Sequence, residues 1–126
     1  MKINHITILV SDRLKAADFY SNLLEMEVVE RGKSRWIKIG DQYLHLAQDS
    51  GDPIKDSFYH FCVSINNLSD YLKRIIAKKV EVYDIDDNMQ KTDINENLDR
   101  EKRQFFINDQ DGNMIELIDE NNNFFK

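Results

Sequence analysis

The two halves of this chain read alike, and that repeat constrains the fold more than any other feature. The first half opens with INHITILV (3–10), a strand by alternation and β-branched content. Ser11 or Asp12 can cap a helix running to about Glu25, with Leu14, Ala17, Phe19, Tyr20, Leu23 and Leu24 on its apolar face. Three strands follow, MEVVER (26–31), SRWIKIG (34–40) and QYLHLAQ (42–48). The second half opens with SFYHFCVSI (57–65), and Asn66 or Asn67 can cap a helix over 68–79. VEVYDI (80–85), RQFFIND (103–109) and NMIELID (113–119) complete it. Each half is therefore β-α-β-β-β, an α+β class chain of two modules, 1–50 and 57–120. They are joined by a linker over 48–57 that holds the sole proline, Pro53.

The repeat makes the rare residues comparable. There are three histidines in 126 residues. His5 and His60 occupy equivalent places in the two opening strands. His45, in YLHLAQ, is matched by Glu116, in MIELID. Strand alternation places each of the four opposite an apolar face that packs on a helix, so all four belong to the helix-free face of their sheets. A carboxylate set among Met, Ile and Leu is costly unless paired or metal-bound. Imidazoles with a carboxylate suit zinc, nickel, iron, cobalt or manganese better than calcium or magnesium.

Composition removes other classes. A net charge of −6 disfavours nucleic acid and anionic membranes. The start lacks the apolar stretch of a signal peptide, and one cysteine, Cys62, cannot form an internal disulfide. The expectation is a cytoplasmic protein.

The paired modules, the opening NHITILVSD and the segment FFINDQDGNMIELID (105–119) resemble the vicinal oxygen chelate superfamily, which includes glyoxalase I, fosfomycin-resistance proteins, methylmalonyl-CoA epimerase and extradiol dioxygenases. The resemblance implies curved sheets around a divalent metal held by His5, His60 and Glu116. His45 stands at a position where glyoxalase I-like members carry Glu or Gln and fosfomycin-resistance members often carry no ligand. It is either a fourth ligand or a general base, and Glu116 and His45 are the candidate catalytic side chains. Gln110 replaces a proline common in the turn. Thr7, Trp36, Tyr43, Cys62, Arg103 and Met114 are candidate pocket residues, with Cys62 expected as a small buried core residue. The implied function is metal-dependent lyase, isomerase or thiol-transferase chemistry on a small oxygenated substrate, by chelation and oxyanion stabilisation. The alternatives are a drug- or metabolite-binding protein of the bleomycin-resistance kind and, fitting less well, a ring-cleaving dioxygenase, since those enzymes are longer. The resemblance also implies a homodimer, with the site either within one chain or shared between two. The segment 84–101, with seven acids (Asp84, Asp86, Asp87, Asp93, Glu96, Asp99, Glu101) against Lys91 and Arg100, is expected to be a solvated loop or lid.

Overall fold

The computed structural model describes residues 1–49, 58–94 and 103–121. These fall into two compact units, residues 1–49 with 109–113, and residues 58–94 with 103–108 and 114–121.

The first unit is β1 (His5–Val10), α1 (Arg13–Asp18), β2 (Glu27–Arg31), β3 (Ser34–Ile39) and β4 (Gln42–Gln48). Its sheet order is β1-β4-β3-β2, with β1 parallel to β4 and the other pairs antiparallel. Asp12 caps α1, its carboxylate accepting from Leu14 N and Lys15 N at 3.0 Å each. The helix then widens into a π-type turn over Phe19–Leu23. The expected apolar face is corrected: Ala16, Ala17, Tyr20 and Leu24, spaced i, i+1, i+4 and i+8, form the buried stripe, while Leu14, two residues before it, is 55% exposed. The buried side chains belong with Val10, Ile37, Leu44 and Leu46, and α1 packs on β3 and β4.

The second unit repeats the plan with β5 (His60–Ile65), α2 (Leu68–Ala77), β6 (Tyr83–Ile85), β7 (Lys91–Asp93), β8 (Gln104–Asn108) and β9 (Met114–Asp119). Its order, β5-β9-β8-β6-β7, matches the first sheet position for position, with β7 added at the edge. Asn67 caps α2 by accepting from Asp70 N at 3.3 Å, and Leu68, Tyr71, Leu72 and Ile75 are buried as the spacing required.

Strand β7 revises the expected loop. Asp84 and Ile85 lie in β6, and Lys91–Asp93 pair with it as a hairpin. Asp86 makes the turn, its carboxylate accepting from Asn88 N and Gln90 N at 2.9 Å each. Asp86 thus serves backbone geometry and Asp84 and Asp93 are paired strand residues, while Glu96, Asp99, Arg100 and Glu101 lie outside the described residues, as does the linker from residue 50 onward. Strand β6 is also shorter than VEVYDI, because Lys79 leaves α2 at φ 62° and Val80–Val82 serve as connection.

The turn Asp109–Asn113 clusters with the first unit. Asp109 is 5% exposed and accepts four hydrogen bonds, from Asp111 N, Asn113 N, Asn113 Nδ2 and the Tyr20 hydroxyl, each at 2.9 Å. Asp111 accepts from Ser11 N at 3.1 Å. Gly112, at φ 83°, supplies the left-handed backbone this turn needs. Burial still holds the Asp109 carboxyl above the ordinary range, against the lowering effect of its donors. Burial and the Asp109 charge push the Tyr20 hydroxyl well above its usual value, so it stays a donor.

Because the folded value of Asp109 is raised, its protonation adds stability that is present at acid pH and lost as pH rises through the raised value. Tyr20→Phe removes one donor to a buried, ionised acceptor. It is expected to cost about 1–3 kcal/mol at pH 7 in denaturant unfolding. The penalty should shrink on acidification towards pH 4. A penalty independent of pH would contradict this account of the pair.

Candidate functional site

In the second unit, parallel pairing of β5 with β9 sets Cys62 directly across from Glu116 and His60 across from Met114. Antiparallel pairing of β8 with β9 sets Phe106 on the other side of Glu116. Ile115 and Leu117 are fully buried. Alternation therefore turns Glu116 to the opposite face, where it is only 9% exposed.

There it meets His60. The Nε2 of His60 lies 2.9 Å from Glu116 Oε2, with the two side chains 21% and 12% exposed. The other ring nitrogen, Nδ1, lies 2.8 Å from the carbonyl oxygen of Phe58. A carbonyl can only accept, so Nδ1 carries a hydrogen. In the neutral ring Nε2 is then the lone pair, aimed at a carboxylate oxygen that also has only lone pairs to offer. The contact requires a second proton or a cation between them. A metal ion answers this requirement, and an Nδ1–H fixed on an acceptor is the usual arrangement of a ligating histidine.

The first unit carries the equivalent residues. His5 Nδ1 lies 2.8 Å from Asn4 Oδ1, again leaving Nε2 as the free edge when that nitrogen donates. His5 stands across from Tyr43, and His45 stands between Thr7 and Trp36 in the register. The Trp36 indole meets the His5 ring edge-to-face at 5.2 Å and stacks on His45 at 4.1 Å. The Trp36 Nε1 donates to Ser34 Oγ at 3.0 Å. His45 differs from the other two histidines in that stacking, rather than an Nδ1 acceptor, is its defining contact.

The sequence-derived residues thus sort by unit. His60, Cys62 and Glu116 come together, and so do His5, Trp36 and His45, with Thr7 and Tyr43 in the neighbouring register. Among the described residues, no group of three or more His, Cys, Asp or Glu side chains is placed to hold a metal ion. Cys62 is exposed rather than a buried core residue, because alternation gives it the same face as His60. Partial burial of the thiol, then the charge and hydrogen bond of Glu116, push it up to about 12, so it is a neutral donor and not a thiolate nucleophile. Met114 is 5% exposed and packs with Tyr83 and Phe106. Arg103 is exposed just before β8, its carbonyl accepting from Asp119 N at 3.0 Å. Phe106 and Tyr83 escaped the sequence reading. Phe106 could have been found as the repeat equivalent of Trp36.

A model of the glyoxalase/bleomycin resistance protein/dioxygenase superfamily matches residues 2–117. The chain belongs to that superfamily. It is 31% identical over 121 residues to the metallothiol transferase FosB of Staphylococcus haemolyticus, covering 91% of this chain and 81% of that protein. FosB of Staphylococcus epidermidis is 30% identical over the same length. Among solved structures, a glyoxalase family protein from Bacillus anthracis superposes with a TM-score of 0.70 at 21% identity, covering 94% of each chain. The fosfomycin resistance protein FosX of Listeria monocytogenes superposes with a TM-score of 0.69 at 19% identity, covering 94% of this chain and 93% of its own. These structures share the α+β fold of the superfamily, two open sheets with few helices.

Proposed function

We propose that this superfamily member is a metal-dependent thiol transferase that joins a small thiol to an oxygenated electrophile. The observation that carries the reading is the His60–Glu116 contact, with Nδ1 of His60 committed to the Phe58 carbonyl. The relatives named metallothiol transferases support the reaction class.

In this reading His60 and Glu116 hold a divalent transition metal together with His5, whose ring carries the same Nδ1 restraint. His45 is the fourth candidate ligand, because it holds the repeat position of Glu116. The metal would act as a Lewis acid that stabilises negative charge developing on a substrate oxygen. Nitrogen and carboxylate donors fit zinc, nickel, manganese, iron or cobalt. The chain's own contributions are orientation and exclusion. Phe58 and Asn4 fix which imidazole edge is offered. Ile115 and Leu117 anchor the strand that carries Glu116. Without metal, burial and Glu116 hold Cys62 as a thiol that offers Glu116 a hydrogen bond. In this reading the attacking thiol is a co-substrate, as the name of the metallothiol transferase relatives suggests, and a reducing cytoplasm would supply it.

The test is calorimetric titration of metal-stripped protein with Zn2+, Ni2+ and Mn2+, followed by thiol-addition assays with fosfomycin as the first electrophile. Wild type is expected to bind at micromolar metal or below, and His60→Ala and Glu116→Gln to lose at least tenfold in affinity. His45→Ala should weaken binding if the ring ligates, whereas His45→Glu should partly preserve it. Unchanged affinity with lost turnover would make His45 a base. Metal binding without turnover on any electrophile would favour a sequestering protein, and no binding would overturn the enzyme reading.

We also propose a homodimer. Strand β1 is a sheet edge, and Ile6 and Leu9 on it are 37% and 48% exposed. Sedimentation at micromolar concentration should show twice 14.9 kDa. A 14.9 kDa species alone would refute it.

A further inference from the structure

We infer that Trp36 and Phe106 are positioning residues, one in each unit, that set the ring planes of His5 and His60. The inference rests on the metal reading above and deepens it.

The two aromatics hold the same place in the repeat. Trp36 on β3 stands across from His45, and Phe106 on β8 stands across from Glu116. Each meets the first-strand imidazole of its own unit edge-to-face. The centroids are 5.2 Å apart at 81° for Trp36 with His5, and 5.9 Å apart at 78° for Phe106 with His60, where the Phe58 ring adds a second edge-to-face contact at 5.3 Å and 80°. An indole in one unit and a phenyl in the other thus reach the same geometry, which general packing would not require.

The physical need is clear from the torsions. The outer torsion of a histidine side chain is broad, so its ring plane is poorly fixed by rotamer preference alone. A hydrogen bond at Nδ1 tethers one edge but leaves the ring free to hinge about that contact. A perpendicular aromatic wall removes the hinge, and edge-to-face contact is the favoured arrangement for doing so. Tether and wall together give Nε2 one direction.

Both walls are themselves held. Trp36 is pinned by its hydrogen bond to Ser34 Oγ and by the stack on His45. Phe106 is 4% exposed and stacks on Tyr83 at 5.9 Å and 19°. The Tyr83 hydroxyl donates to Asn108 Oδ1, and Lys91 Nζ lies 4.3 Å over the Tyr83 ring. The β6–β7 hairpin, which has no counterpart among the described residues of the first unit, therefore backs the wall in the unit where the smaller phenyl replaces an indole.

The test is Zn2+ titration by calorimetry on metal-stripped wild type, Trp36→Leu, Trp36→Phe, Phe106→Leu and Phe106→Tyr. Circular dichroism and thermal melting of each metal-free protein report the fold separately. Loss of an orienting partner of a ligand costs about 10–100-fold in metal affinity. The leucine variants should show a loss in that range, and the aromatic replacements should recover most of it. A purely structural role would lower the melting temperature and leave the Zn2+ affinity of the folded protein unchanged. Trp36 is half-buried, so Trp36→Leu decides the matter if Phe106→Leu does not fold. Zn2+ binding in wild type that folded Trp36→Leu retains in full overturns this inference alone. Failure of wild type to bind Zn2+ overturns the metal reading and this inference with it.

Discussion

Glu116 is the constraint from which the rest of the site follows. A carboxylate on a strand whose neighbours Ile115 and Leu117 are fully buried is drawn out of water, at a cost that something must compensate. The β5–β9 pairing supplies the compensation by laying His60 and Cys62 along the same face. Cys62 can give only a weak hydrogen bond. His60, with one nitrogen committed to Phe58, brings a lone pair and not a hydrogen in its neutral form. The arrangement is complete only when a positive charge stands between imidazole and carboxylate.

The repeat explains how one plan yields two unequal halves. Both sheets have the same strand order, and both place a histidine, an aromatic ring and a fourth-strand donor on the open face. Each sheet buries its other face under a helix through isoleucine, leucine and phenylalanine, and that burial fixes the register. A slip of one residue would turn Glu116 into the core and Ile115 outward. Stability and site geometry are thus set by the same alternation. What differs is at the edges. His45 replaces a carboxylate in the first unit, and β7 adds a strand in the second.

Much of this was legible because period-2 alternation and helix caps are local signals. The equivalence of His5 with His60 and of His45 with Glu116, the cap at Asn67 and the inward face of α2 all follow from spacing. The burial of Ala16 and the exposure of Leu14 were not legible by residue type, since the more apolar leucine lies off the Ala16, Tyr20 and Leu24 stripe that packs inward. Strand β7 was hidden by the acids of its hairpin, Asp84, Asp86, Asp87 and Asp93. Asp86, which reads as a solvated charge, is the turn residue that makes the hairpin. Cys62 was misjudged by residue type, although its alternation with Val63 placed it beside Glu116. The tethers on the histidine rings were also out of reach, because one acceptor is the Phe58 backbone carbonyl and carries no side-chain signature. The buried Tyr20–Asp109 bond spans 89 residues, which no local pattern reports.

The most direct test of the central claim is X-ray absorption at the zinc edge on protein loaded with one equivalent of Zn2+. The account predicts a nitrogen and oxygen shell at about 2.0–2.2 Å, with the outer-shell pattern of imidazole and no sulfur. His60→Ala should reduce the imidazole contribution. A sulfur shell at about 2.3 Å, which would place Cys62 on the metal, or a spectrum without imidazole, would contradict it.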